Sequence, residues 1–300
     1  MKIWIIEIKH VNLSDKIIET MDFQSDIQNL FFEQLEEWES FRNAVKQLDN
    51  IRTKQFNWGD NVQVNIQFNP GRITSTSAKV DKKNIEQRPC FLCEQHRPTV
   101  QRGLPFLDKY TILVNPFPIL RNHLTIPIHS HVPQLIRNKI GDMLSFSEQL
   151  PDYIVFYNGP KSGASAPDHF HLQAGLKSPV LVQGENELRS CLVIETTTKT
   201  EAIDLAEDVY LFLQNHQPEE EEPMLNIISF MENDKYVLHI FPRKAHRPRQ
   251  YFAEGNKQLL ISPGALDMAG LIITPREEDF NKVQKDDIED ILSQVSMPII

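Results

Sequence analysis

Residues 166–175, APDHFHLQAG, restrict the fold more than any other stretch of this sequence. His169, His171 and Gln173 alternate with Phe170, Leu172 and Ala174. Alternation at period two is the mark of a strand with two unlike faces. One face carries two imidazoles and an amide; the other is apolar and must meet a core. Two histidines on one face lose solvation when buried, so they call for partners or a chemical role. A polar strand face without chemistry is the alternative. The preceding segment, YNGPKSGASAPDH (157–169), is rich in small residues, which let backbone N–H groups approach an anion. Such a loop joined to a histidine pair points to a phosphate held beside a nucleophile. A third cluster, NPGRITSTSAK (69–79), adds Arg72, Ser75, Thr76, Ser77 and Lys79. It reads either as part of an anion pocket or as a polar surface loop.

Elsewhere the pattern changes period. Residues 26–48 place Leu30, Phe31, Leu35, Trp38, Phe41, Val45 and Leu48 at helical spacing, with Ser25 as N-cap. Strands are expected over 62–68, 110–115, 123–128 and 153–158, and a helix over 133–150 with Pro133 in its first turn. A second set follows: a helix over 201–216, a charged connector QPEEEEP (217–223) expected to be solvated, strands over 224–231, 236–242, 258–263 and 270–275, and a helix near 277–295. VLHIFPRKAH (237–246) echoes HLTIPIHSH (123–131). The class is α+β, an antiparallel sheet with helices in two duplicated halves. The expected division is a helical extension over 1–60, a catalytic half over 61–199 and a degenerate half over 200–300, which lacks His-x-His-x-Gln.

Cys90-Phe91-Leu92-Cys93 is the one metal-like spacing, and three cysteines do not make a disulfide framework. Two thiolates from one turn could join histidines at 96, 123, 129, 131, 169 or 171 around zinc. Two packed free cysteines are the alternative. The formal net charge of −10 argues against general nucleic-acid binding, so an anion needs a local pocket. No run of 18 apolar residues exists, and MKIWIIEIKHVNL lacks a small-residue cleavage site. A cytoplasmic protein without a membrane span is expected.

Together these pieces resemble the histidine-triad superfamily, in its nucleotidyltransferase and phosphorylase branch. That branch holds galactose-1-phosphate uridylyltransferase, diadenosine tetraphosphate phosphorylase and GDP-hexose phosphorylase. NHLTIPIHSHVPQL (122–135) and SGASAPDHFHLQ (162–173) carry the likeness. Residues 225–280 resemble the C-terminal part of plant-type GDP-galactose phosphorylases, and the whole looks like a bacterial branch of such proteins. The resemblance implies that His171 is the nucleophile, with Gln173 bonded to the transferred phosphoryl group. It implies nucleotide contacts from Asn158, Gly163, Ala164 and Ser165, with Arg72 or Lys79 neutralising charge. It also implies a structural zinc on Cys90, Cys93, His131 and His169, with His123 and His129 as further candidates for the third ligand. The reaction implied forms a nucleotidyl-histidine and passes the nucleotide to phosphate or a sugar phosphate. The donor would be a nucleoside diphosphate sugar or a dinucleoside polyphosphate. A nucleotide hydrolase and a non-catalytic zinc-stabilised nucleotide-binding module are the alternatives. A homodimer is left open.

Overall fold

The computed structural model describes residues 13–78, 80–177, 182 and 186–299. Lys79 therefore lies outside the described residues. Ten α-helices and eleven strands are described. The helices are α1 (Leu13–Glu37), α2 (Glu39–Gln47), α3 (Ile73–Thr76), α4 (Lys82–Gln87), α5 (Ile140–Gln149), α6 (Lys199–His216), α7 (Arg249–Phe252), α8 (Ala265–Ala269), α9 (Glu277–Lys282) and α10 (Lys285–Val295). The strands are β1 (Arg52–Trp58), β2 (Val62–Phe68), β3 (Gly103–Phe106), β4 (Tyr110–Val114), β5 (Leu124–Pro127), β6 (Tyr153–Asn158), β7 (His171–Leu176), β8 (Leu192–Thr196), β9 (Leu225–Glu232), β10 (Lys235–Pro242) and β11 (Leu271–Thr274).

One eight-stranded sheet runs in the order β3-β4-β5-β7-β6-β9-β10-β8, antiparallel throughout. Alternation then sorts its side chains. Phe170, Leu172 and Ala174, with Val155, Tyr157, Leu238 and Ile240, face helices α1, α5 and α6 in one apolar cluster. Ile154, Phe156, Ile228, Phe230, Val237 and Phe241 face the other way, into a second cluster with β2, β11, α8 and α10. That second layer contains a three-stranded sheet, β1-β2-β11, in which β11 runs parallel to β2. The last strand of the chain therefore pairs with one of the first, and residues 52–58, expected within a helical extension, form a strand.

The structure corrects several sequence-based expectations. The long helix over 26–48 is two helices, broken where Trp38 takes extended angles, and Ser25 lies inside α1 rather than at its cap. The helix over 133–150 begins only at Ile140, because residues 133–139 form an irregular segment whose Gln134 side chain is buried against β7. Residues 258–263 form no strand. The Leu259 N–H donates to Gln250 O and the Leu260 N–H to Asp279 Oδ2, so these amides are used outside any ladder, while Leu259 and Ile261 fill the core. The terminal helix is divided between α9 and α10. In the connector 217–223, Glu222 is buried, contrary to the expected solvated loop.

Candidate active site and metal centre

His171 opens β7 and is 3% exposed. Its Nδ1–H donates to the His169 carbonyl at 2.9 Å, which leaves Nε2 as the unprotonated nitrogen. Burial lowers its pKa to about 4, so the ring is neutral near pH 7. Gln134 clamps the same residue's backbone: the His171 N–H donates to Gln134 Oε1 at 2.7 Å, and Gln134 Nε2 donates to His171 O at 2.9 Å. A glutamine in an irregular loop has no periodic signal, and sequence reasoning gave it no role.

Gln173 follows on the same face. His123 Nδ1 accepts from the Ile119 N–H at 3.1 Å, so the His123 proton sits on Nε2, 3.0 Å from Gln173 Oε1. The Gln173 oxygen is thereby occupied, and its NH2 end is the one available to the cavity. Burial lowers the His123 pKa to about 3, consistent with this neutral tautomer. His123, a spare candidate ligand in the sequence, orients the glutamine and is not in the cysteine cluster.

Both residues line a cavity of about 1010 Å³ on the second face of the large sheet. Its floor includes Asn115, Thr125 and Phe156, and its walls bring in Arg72, Arg88, Gly163, Ala164 and Ser165. His246, Arg247, Gly264 and Asp267 line it too, all from the second half and none of them singled out in the sequence. Gly163 has φ +105°, and a Cβ there would lie 3.1 Å from Gly264 Cα. The two glycines thus let the loop before β7 touch the start of α8. Asn158 locks this junction: its Oδ1 accepts from Ala265 N at 2.7 Å and from Asn226 Nδ2 at 2.8 Å. Arg243, fully buried, donates in turn to Asn226 Oδ1 at 2.5 Å and to the carbonyls of Ala245 and His246 at 3.0 Å.

The loop does not offer every N–H expected of it. Ala164 N–H donates to Gly159 O at 3.3 Å, whereas those of Gly163 and Ser165 have no backbone acceptor among the described residues. Ser75 and Ser77 spend their hydroxyls on the carbonyls of Arg72 and Ile73. Arg72 Nη1 donates to Phe117 O at 2.6 Å. Arg247 donates to Ser262 Oγ and to the carbonyls of Thr76 and Ala78 at 3.0–3.2 Å. Among the described residues neither guanidinium is in an ion pair with a carboxylate. Burial lowers the Arg72 pKa only to about 10, so it stays cationic. The cavity is thus basic within an acidic chain.

Beside it lies the cysteine cluster. The donor atoms of Cys90, Cys93, His131 and His169 all lie within 4.8 Å of one another. Cys90 Sγ is 3.3 Å and Cys93 Sγ 3.5 Å from His169 Nδ1, and Cys93 Sγ is 3.2 Å from His131 Nδ1. Two thiolates and two imidazoles gathered this closely are the kind of sulfur and nitrogen donor set that holds zinc in a four-coordinate structural site. His169 Nε2–H donates to Ile128 O at 2.7 Å, which frees Nδ1 as a ligand and fixes the ring. The donor set fits zinc. His96 instead turns its Nδ1 to the Cys90 carbonyl at 3.1 Å, and His129 is exposed.

A family model described as a domain of unknown function (DUF4922) matches residues 30–176. No match was found among curated proteins. Among solved structures, yeast Ap4A phosphorylase Apa2 matches with a TM-score of 0.54 and 17% identity, over 87% of this chain and 97% of that one. Its complex with Ap4A gives 0.55 at the same identity and coverage, and its complex with AMP gives 0.53 at 17% identity, over 89% of this chain and 97% of that one. The likeness shows a shared α+β fold, in keeping with the histidine-triad-like architecture expected from the sequence. No helix among the described residues is long and apolar enough to cross a membrane.

Proposed function

We propose that this protein is a nucleotidyltransferase of the phosphorylase type, working through a nucleotidyl-His171 intermediate. The observation that carries the reading is the tautomer of His171: a buried, neutral ring whose Nε2 lone pair lines a basic cavity. Such a nitrogen can attack an α-phosphorus, expelling a phosphate or sugar phosphate and dividing one displacement into two. A phosphate acceptor then attacks from the same side, so two inversions leave retained configuration. Gln173 would donate its amide N–H to a non-bridging oxygen, held in that orientation by His123. The N–H groups of Gly163 and Ser165, with Arg72 and Arg247, would neutralise charge on the others. An amide carries no transferable proton, which favours transfer over hydrolysis.

Cys90, Cys93, His131 and His169 would hold zinc. Four protein ligands leave no open position, so bound zinc would supply structure, not an activated water. His169 precedes the nucleophile by two residues, so anchoring it fixes the start of β7. The duplication remains part of this reading, supported by matching helix–strand–strand runs, α5-β6-β7 and α6-β9-β10, which meet at the β6–β9 pair.

A panel of ADP-, GDP- and UDP-sugars and dinucleoside polyphosphates, each with and without inorganic phosphate, tests the assignment. Phosphate-dependent release of a nucleoside diphosphate is expected. Equal turnover without phosphate would replace it with a hydrolase, and nucleotide binding without turnover would replace it with a binding module.

A further inference from the structure

Glu222, from the connector between α6 and β9, is buried beneath the segment that clamps His171 and takes no part in the chemistry above. Its Oε1 lies 2.5 Å from the Tyr157 hydroxyl, and its Oε2 accepts the Ile136 N–H at 2.6 Å. The same hydroxyl lies 2.8 Å from the Gln134 carbonyl. Tyr157 has one hydroxyl hydrogen and two oxygen neighbours. If Glu222 is ionised, that hydrogen turns to the carboxylate, and the buried Gln134 carbonyl has no other donor among the described residues. If Glu222 carries a proton on Oε1, every contact is satisfied: Glu222 donates to the Tyr157 oxygen, and Tyr157 donates to the Gln134 carbonyl.

We propose that Glu222 is a positioning residue for His171, its carboxyl group protonated so that Tyr157 is directed onto Gln134 and the Gln134 clamp on the His171 backbone is held. Calling His171 the nucleophile rests on the reading above; the clamp does not. The surroundings agree. Burial pushes the Glu222 pKa up to about 7, against the hydrogen bonds from Tyr157 and the Ile136 and Arg137 backbone and the attraction of Lys139. The Tyr210 hydroxyl of α6 also feels Glu222, and around that hydroxyl stand the Arg137 guanidinium, held by Glu207 at 2.8 Å, and Glu221. The clamp is therefore complete at mildly acidic pH and weakened as Glu222 ionises.

Amide hydrogen exchange of the ligand-free protein, read on the peptide spanning 166–176 between pH 5.5 and 8.5 and corrected for intrinsic rates, tests it without any substrate. Wild-type protection is expected to fall about fivefold as pH rises through 7, the equilibrium weight of one hydrogen bond. Glu222→Gln should keep full protection throughout, because its amide donates to Tyr157 at every pH while its oxygen still accepts from Ile136. Tyr157→Phe should be weakly protected throughout. Superimposable wild-type and Glu222→Gln profiles would overturn the proposal. Separated profiles in a protein that forms no nucleotide adduct would support the clamp and remove the reaction assigned to His171.

Discussion

β7 and β10 stand one strand out on either side of the β6–β9 pair, and both end a helix–strand–strand run. To the same face of the sheet β7 presents His171 and Gln173, and β10 presents Val237, His239 and Phe241. The first pair meets a cavity; the second set meets an apolar layer. His239 lies between the rings of Phe230 and Phe241, 5.8 and 6.3 Å away, with Cys191 Sγ at 3.7 Å. Similar backbones thus carry unlike chemistry, and what decides is the covering layer. The apolar cluster that takes in the β10 side chains also holds Leu271 and Ile291, whereas beside β7 two glycines and a set of arginine-bearing loops line a cavity.

The sharpest way to break this contrast is to remove one imidazole from each strand. His171→Ala is expected to lower phosphate-dependent turnover by at least about 10⁴-fold, the scale seen when a nucleophile is deleted. His239→Ala should leave turnover within about threefold and show its effect as a lower melting temperature, since it opens space in a packed layer. Comparable losses of turnover in both would dissolve the distinction.

The second contrast concerns the thiols. Cys90→Ser removes a corner of the four-donor cluster beside β7 and should abolish stoichiometric zinc in elemental analysis. It should also cost roughly 6 °C or more in melting temperature, the scale of a lost structural metal ligand in a chain of this size. Cys191→Ser, beside β10, should leave the metal content at one ion per chain.

A smaller effect is expected at His123. His123→Ala frees the Gln173 amide to turn, removing one oriented donor to a charged phosphoryl group. A fall in kcat of about 10- to 100-fold with KM little changed is expected. Retention of full kcat would mean that the amide is held some other way.

The smallest effect is a slope. Burial lowers the pKa of His123, His171 and His246 to about 3, about 4 and about 3, against about 6.5 in an unfolded chain. Below pH 6.5 the unfolded state binds more protons at these sites, so their contribution to stability is lost as pH falls through the folded values. His246→Gln should reduce the dependence of unfolding free energy on pH by up to one proton, about 1.4 kcal/mol per pH unit, between pH 6 and 4. Urea titrations at three pH values measure it, and parallel slopes would contradict it.

Period-two alternation was enough to read β2 and the two faces of β7, while β4, β5 and β6 were legible as short apolar runs because they are buried on both sides or nearly so. It could not read β1, whose polar residues show no such contrast, and although β11 was expected as a strand, its Leu-Ile-Ile-Thr sequence does not reveal a parallel pairing with β2. The four donors around Cys90 were legible from spacing and resemblance, since ligand chemistry restricts residue type. The rest of the site was not. His246 and Arg247 come to the cavity from a loop and Asp267 from α8, all more than 70 residues beyond the motif, and Glu222 is hidden in a run of four glutamates that looks solvated. Gln134 was lost because Pro133 reads as a helix start, whereas the glutamine's bonds to β7 hold the backbone out of the helix.

The account depends on Nε2 of His171 attacking phosphorus. Wild-type protein mixed briefly with a dinucleoside polyphosphate or nucleoside diphosphate sugar, without phosphate, should gain the mass of one nucleoside monophosphate. The added mass should map to the peptide spanning 166–176, disappear when phosphate is supplied, and be absent from His171→Ala. Phosphate-dependent turnover with no trapped adduct, or an adduct that persists in His171→Ala, would contradict it.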